Sequence, residues 1–363
     1  MSSDIHDVLA PHGSGGTSTG APALVAAARR VADAVLAPAA AATDRADVVP
    51  RSHLDALAGA GLCGLFCPPG APPADSRRIF EILAGACGVT FFVWVQHHAP
   101  VRMLADSANA SLRERHLDDL CAGRTLGGVA FAYLRRPGPP AVVATPVAGG
   151  YRIDGEAPWV TSWGLARLYA VAARCDDQVV FFAVLADDRG PAGVRASPRQ
   201  ALAAMNASST VRLAFDGLVV PAEDVISTVP FGRWQAQDRV ATAQPNPAAF
   251  GIAETCVRLL GERAPEAAED LGGEVEACRR RSYDLADMDR TDDAHLRMLV
   301  EARAWSLELG VRAATALVTS VGGRAMSADH PAQRLLREAA FFTIQAQTAA
   351  LRQATLGQLT LRR

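Results

Sequence analysis

The chain is expected to be an α+β protein: an N-terminal helical domain, a middle β-barrel or sandwich domain, and a C-terminal four-helix bundle. Three observations predict this. Ala-rich segments with helical spacing of apolar residues dominate as far as residue 125. From Leu126 to about residue 230 the texture changes to short alternating or apolar runs separated by Gly, Pro and Asp turns. From about Pro247 the helical period returns and persists to the end, in segments long enough and joins short enough for an antiparallel bundle. The boundaries this implies are 1–22 for a disordered tail rich in Gly, Ser, Thr and Pro, then 23–125, 126–230 and 231–363.

In the first part, helical patterns run from Leu24 to Ala42, from Pro50 through "PRSHLDALAGAG", and around 77–88 and 112–122. The strand candidates are "GGVAFAYL", "AVVATPV", "YRIDGEAPWVT", "LYAVAARC", "QVVFFAVLAD" and "TVRLAFDGLVV", with Gly149-Gly150 as a hairpin turn. Helices are then expected near 248–263, 265–287, 293–320 and 331–361. Asp329 and Pro331 suit the cap and first turn of the last one.

Composition excludes several functions. Half of the 363 residues are hydrophobic and the formal net charge is −2, with no basic block bearing interleaved aromatics, so no nucleic-acid partner is expected. No run approaches the length of a membrane span, and the N-terminus has no charged start followed by an apolar stretch. No membrane partner is expected, and the cytoplasm is the default location. There the seven cysteines are expected as free thiols, not disulfides. All 36 basic residues are arginine. The lack of lysine rules out a lysine Schiff base and a P-loop.

Two local patterns are weighed against their context. Gly59-Ala60-Gly61-Leu62-Cys63-Gly64 matches a dinucleotide fingerprint, but it follows a helical pattern and not a strand, so helix termination at glycine is the better reading. Cys63 and Cys67 are four apart with no second Cys/His pair nearby, so no metal is expected. His97-His98 stands out because adjacent residues cannot share one helix face, and at least one ring is expected at a polar contact.

Four stretches, in order along the chain, carry a resemblance. They are "VADAVLAPAAAATDRADVVPRSHLDALAGAGLCGLFCPP" with Pro38, Asp44, Pro50, Gly61 and Pro68; "APWVTSWGLARLYAVAA"; "LAFDGLVVPAEDVIS"; and "VGGRAMSADHPAQRLLREA". Together they resemble the acyl-CoA dehydrogenase family. The second is similar to that family's W-I-T-N-G-x-A-D, the third to its F-D-x-V-x-V-P segment, the last to its Gly-Gly followed by P-x-x-R-x-x-R-D. The resemblance implies FAD between the β-domain and the bundle, and an acyl thioester as the small-molecule substrate. It also implies a homodimer or homotetramer, or a hetero-oligomer with a homologue.

The family chemistry removes a thioester α-proton with a carboxylate while the β-hydrogen leaves as hydride to the flavin. The ring needs an apolar wall and a hydrogen-bond donor. By match to the family motif these are Trp159 and Thr161, with Ser162 beside them; a strand's period of two would put Trp159 and Thr161 on one face. Phe131, Tyr133 and Leu134 are the further cofactor-binding candidates.

Three departures stand against the family pattern. The T-E-P-x-A-G-S-D stretch that supplies a hydroxyl donor is replaced by Tyr133-Leu134-Arg135-Arg136-Pro137-Gly138-Pro139-Pro140. The R-x-x-F-G segment is not evident, leaving Arg279, Arg280 and Arg281 as the charges nearby. The catalytic Glu of Y-E-G-T is matched by Ala346 within Gln345-Ala346-Gln347-Thr348. Asp238 is then the candidate base and His98 a second catalytic candidate. The leading expectation is an acyl-CoA dehydrogenase-like flavoprotein. The alternatives are a flavin-dependent monooxygenase, which His98 and Ser162 would suit, and a non-catalytic partner subunit.

Overall fold

The computed structural model describes residues 21–186 and 192–360. The tail expected to be disordered lies outside these residues, except Ala21 and Pro22, which begin the first helix.

The leading helical part comprises α1 (Ala21–Val31), a π-helical turn (Ala32–Leu36), α2 (Ala37–Arg45), α3 (Arg51–Gly59), α4 (Pro73–Ala86), α5 (Gly88–Gln96), α6 (His98–Ala105) and α7 (Ala110–Cys121). α3 stops at Gly59 and Gly61 takes φ +74°, so the apparent dinucleotide fingerprint is a helix terminus. α5 carries "GVTFFVWVQ", whose β-branched and aromatic residues favour a strand in isolation. It is helical because Gly88–Trp94 is buried all round, and tertiary packing overrides the local preference.

The middle of the chain forms one mixed sheet from β1 (Gly127–Ala130), β2 (Val142–Val147), β3 (Gly150–Val160), β4 (Leu168–Cys175), β5 (Gln178–Leu185), β6 (Val194–Ala196), β7 (Val211–Pro221) and β8 (Val225–Pro230). The strand order is β6-β7-β3-β2-β4-β5-β8, with β1 parallel to β4. β2 and β3 form a hairpin in which Val147 pairs with Gly150 and Gly149 takes φ +79°. The inner strand β4 reads almost uniformly apolar because helices cover it. His97 ties this sheet to the helices. Its Nδ1 accepts the Gly127 N–H at 2.9 Å and its Nε2 lies 3.3 Å from the Cys63 carbonyl, the pattern of a neutral Nε2–H tautomer.

The C-terminal helices are α8 (Phe231–Ala243), α9 (Pro247–Gly261), α10 (Pro265–Ala286), α11 (Asp293–Val321), α12 (Pro331–Phe342) and α13 (Ala349–Thr360). The single last helix expected from the sequence is two helices, broken at 343–348, where Ala346 takes φ +52°. A second correction concerns the cysteines. Cys67 and Cys121 form a disulfide, so not all seven are free thiols.

The leading helices meet the bundle where α4 crosses α9 through two glycines. A Cβ on Gly85 would sit 2.6 Å from the Gly251 carbonyl oxygen, and one on Gly251 would sit 2.0 Å from the Glu81 carbonyl oxygen. The Thr255 hydroxyl donates to the Gly85 carbonyl at 3.2 Å across the same crossing. Backbone stands against backbone here, so no side chain can yield to make room. Gly251→Ala is expected to cost about 3 kcal/mol, the upper part of the overpacking range, in urea unfolding. Gly232→Ala on α8, with no atom within 4 Å of its added Cβ, is the control and should be neutral or slightly stabilising. Equal stability of Gly251→Ala and the parent would contradict the close crossing.

Candidate functional site

The α4–α9 crossing holds open a cavity of about 500 Å³. Its walls come from the turn after α3 (Phe66, Pro68, Pro69), from α4 (Ser76, Arg77, Phe80), and from α5 and α6 (Phe91, Val95, Arg102). The α8–α9 join adds Gln244 and Asn246, α11 adds Arg303, and the α12–α13 break adds Gln345 and Ala346. Most of this lining is aromatic or aliphatic with a few polar groups, the usual character of a small-molecule site, and the volume falls in the usual range.

The break between α12 and α13 is what delivers Ala346 to the cavity. A non-glycine residue in the left-handed region is strained. The Nη2 of Arg303 donates to the Gln345 carbonyl at 3.4 Å, holding the broken segment against α11.

Asp238 on α8 is buried and does not line the cavity. Arg135, at the end of the 3₁₀ turn Ala132–Arg135, donates to both its oxygens, Nε to Oδ2 at 2.8 Å and Nη2 to Oδ1 at 2.7 Å. This bidentate pair joins the sheet to α8. His98 is fully buried, with both ring nitrogens lacking a partner. It packs edge-on to Trp94 at 4.4 Å and to Phe66 at 5.0 Å. Phe66 and Phe80, which line the cavity, pack against its ring, and His98 itself is not among the lining residues.

The cofactor candidates form a separate cluster on the sheet, and none of them lines the cavity. β3 ends at Val160 and its pairing with β7 shifts between Ala157 and Val160, so the period of two does not extend to Thr161. Trp159 is 52% exposed, whereas Thr161 is buried with its hydroxyl 3.5 Å from that of Thr210. Ser162 is buried at φ +68° and its hydroxyl has no partner. The Tyr133 hydroxyl donates to the carbonyls of Ala130 (2.8 Å) and Ala172 (2.5 Å), Leu134 is buried, and the Phe131 ring packs edge-on to Phe181. An exposed indole beside a strained turn with an unpartnered hydroxyl fits the edge and face of a flat aromatic ring. Of the three arginines near the place of the R-x-x-F-G segment, Arg279 is committed to Glu81, Glu254 and Glu276, while Arg280 and Arg281 are exposed.

Sequence reasoning missed Ser76, Asn246 and Arg303. Two signals were present. Asn246-Pro247 is a helix-start pair, with Asn246 Oδ1 accepting the Ala248 N–H at 3.2 Å. Arg303 lies on the stripe Leu299, Ala302, Ser306 and Leu307, which marks a charge on a buried helix face.

The comparisons with known proteins agree with this architecture. The description "Acyl-CoA dehydrogenase, N-terminal domain" matches residues 20–124. Benzylmalonyl-CoA dehydrogenase of Aromatoleum aromaticum is 26% identical over 361 residues, spanning 89% of this chain and 93% of that one. The chain is thus similar to the acyl-CoA dehydrogenase family, in its N-terminal domain by the family model and along most of its length by this relative. Butyryl-CoA dehydrogenase of Megasphaera elsdenii shares the fold at a TM-score of 0.78 and 19% identity, covering 96% of this chain and 100% of that one. Dibenzothiophene monooxygenase of Paenibacillus sp. A11-2 shares it at 0.74 and 15% identity, covering 93% of this chain and 96% of that one. In this chain the residues of α12 that resemble the family's landmarks are ion pairs of the scaffold. Arg334 pairs with Glu338 at 2.8 Å, and Arg337 pairs with Asp44 of α2. No helix among the described residues is long and apolar enough to cross a membrane.

Burial pushes the His97 ring down to about 4 and the His98 ring well below the ordinary histidine value. Both stay neutral in the folded chain while the unfolded chain protonates them near pH 6.5, so stability is full above that pH and is lost as pH falls toward 4. Each ring contributes a loss of up to about 1.4 kcal/mol per pH unit across that window. Urea unfolding between pH 7 and 5 is expected to show this fall. His98→Phe, which keeps an aromatic ring in the same cage, is expected to remove one proton's share of it. An unchanged slope in His98→Phe would contradict the neutral buried ring.

Proposed function

We propose that the chain is a flavoprotein that oxidises the α,β-bond of an acyl thioester, with the acyl group in the α4–α9 cavity. One observation carries this reading. Gln345-Ala346, at the position of the family's Y-E-G-T stretch, forms part of the wall of the aromatic-lined cavity. FAD, when bound, would supply the hydride acceptor. Trp159 would give its ring an apolar face, and Thr161 and Ser162 would give hydroxyl donors. Phe131, Tyr133 and Leu134 would form the turn beneath it.

The proton step is where this chain departs from the family pattern. Ala346 has no acidic side chain, and Asp238, the base candidate offered by the sequence, has both oxygens occupied by Arg135. Asp238 acts as base in this reading after Arg135 turns from it toward the substrate carbonyl or a phosphate. Until then both carboxylate oxygens are held by Arg135. A monooxygenase is the second reading. It is favoured by the same fact, since oxygen chemistry on a flavin does not require a carboxylate beside Ala346, and by the fold it shares with dibenzothiophene monooxygenase. Exposed Ile344, Leu356 and Leu359 on and beside α13 support assembly into a homo-oligomer, or pairing with a homologue, by leaving apolar surface for another chain to cover.

The purified protein is expected to carry a flavin absorption spectrum that an acyl-CoA bleaches in the absence of oxygen. Trp159→Ala with Thr161→Ala should weaken flavin binding about tenfold or more. Flavin affinity equal to the parent's would remove this strand from the cofactor site. Ala346→Glu should raise the anaerobic bleaching rate by about 100-fold, the lower end of what a positioned base contributes. Oxygen-dependent product formation with supplied reduced flavin, and no bleaching by any acyl-CoA, would decide for the monooxygenase.

A further inference from the structure

Arg303 is 5% exposed, on the inner face of α11. Its Nη1 donates to the carbonyls of Thr242 at 2.8 Å and Gln244 at 3.2 Å, and its Nη2 to that of Gln345 at 3.4 Å, while Nε has no partner. All three acceptors are neutral. Burial, and after it the like charge of Arg135, pushes the guanidinium down to about 10. Carbonyl dipoles satisfy N–H groups without cancelling the net charge, so the cation is buried at a cost, and among the described residues no carboxylate is bonded to it.

Two more unpartnered polar atoms belong to residues of the same cavity wall. Ser76 on α4 is 6% exposed and its hydroxyl has no partner. Asn246 is 8% exposed; its Oδ1 caps α9, and its Nδ2 has no partner. A guanidinium edge, an amide N–H and a hydroxyl can all donate to a carboxylate, whose two oxygens offer about four acceptor positions. Arg334, also buried, is by contrast matched by the carboxylate of Glu338, and half-buried Arg135 by that of Asp238.

We infer that the cavity selects an acyl group carrying its own carboxylate, a dicarboxylic acid esterified at one end, with Arg303, Asn246 and Ser76 receiving the free carboxylate. This rests on the reading of the cavity as the acyl site. The phenylalanines would cover the methylenes between thioester and carboxylate, and the charge pair would form in a water-poor pocket where it is strong.

The test measures binding, not turnover. The holoprotein is titrated calorimetrically with glutaryl-CoA and with valeryl-CoA, which have the same chain length and differ in the terminal carboxylate. Bound flavin per chain is recorded in each variant. Glutaryl-CoA should bind about tenfold tighter or more. Arg303→Met should abolish that preference while keeping or improving valeryl-CoA binding. Arg303 also holds the α8–α9 join, so Arg303→Met can fail to fold. Asn246→Asp keeps the capping oxygen and replaces the unpartnered donor with an acceptor, and it too should abolish the preference. Equal affinity for the two thioesters in the parent would overturn the inference and leave the acyl site standing. Binding of neither would overturn the acyl site itself, and the inference with it. A loss of flavin in Arg303→Met with the preference for glutaryl-CoA intact would assign the cation to the cofactor and overturn the inference.

Discussion

The crossing of α4 and α9 is the contact from which the rest of the architecture follows. Gly85 and Gly251 let the two backbones touch, and nothing larger than hydrogen fits at either position. That contact sets where Pro73, Ser76, Arg77 and Phe80 stand on one side, and where Asn246 and Pro247 stand on the other. A wider crossing would separate the two walls of the cavity. One turn along, Glu81 is buried on the same helix and receives Arg78 at 2.7 Å, Arg279 at 3.2 Å and the Tyr283 hydroxyl at 2.6 Å. The glycines bring the helices together, and this charged cluster keeps them in register, because slippage would leave the Glu81 carboxylate buried and unpaired.

Charge placement separates scaffold from site. Asp44, Arg334, Arg337 and Glu338 lie in stretches that resemble a family of enzymes, yet each is consumed in an ion pair that fastens helices together. Glu338 also accepts the Gly88 N–H at 3.2 Å, so one carboxylate secures both α12 and the start of α5. Burial raises its proton affinity, and the adjacent Arg334 offsets that effect. Arg303 is the contrasting case. Its environment is equally buried, but its partners are carbonyls, and the imbalance lies at the wall of a cavity. A scaffold minimises such imbalances, and a binding site leaves one for its ligand to complete.

The residue cluster on the sheet and the cavity are linked through a polar path. Arg135 leaves the turn beneath the sheet cluster and grips Asp238. The Asp238 carbonyl accepts the Thr242 hydroxyl at 2.6 Å, and the Thr242 carbonyl accepts Arg303. A shift of the Arg135 guanidinium therefore changes both the freedom of Asp238 and the repulsion felt by Arg303. The two regions are coupled electrostatically even though they share no lining residue.

The sequence by itself determined the order of helices, sheet and bundle, because period and turn chemistry are local properties. It determined the strand β4 to the residue, the β2–β3 hairpin at Gly149, and the family resemblance, through landmarks spread along the chain. It also identified the run around Ala346. Tertiary structure alone decided what depends on neighbours distant in sequence. α5 is helical against its β-branched composition because it is enclosed. Trp159 and Thr161 differ in exposure because β3 slips its register against β7 before reaching them. His97 spends its ring on the Gly127 amide and the Cys63 carbonyl while its neighbour His98 is shut among aromatics. Cys67 and Cys121, 54 residues apart, were joined by packing that no spacing rule anticipates. Arg303 reads in the sequence as one arginine among many, and only the fold sets its charge in a cavity wall where the acceptors it bonds are backbone carbonyls. A pattern along the chain records which face is buried, and burial beside a partner or without one is settled by where the other elements land.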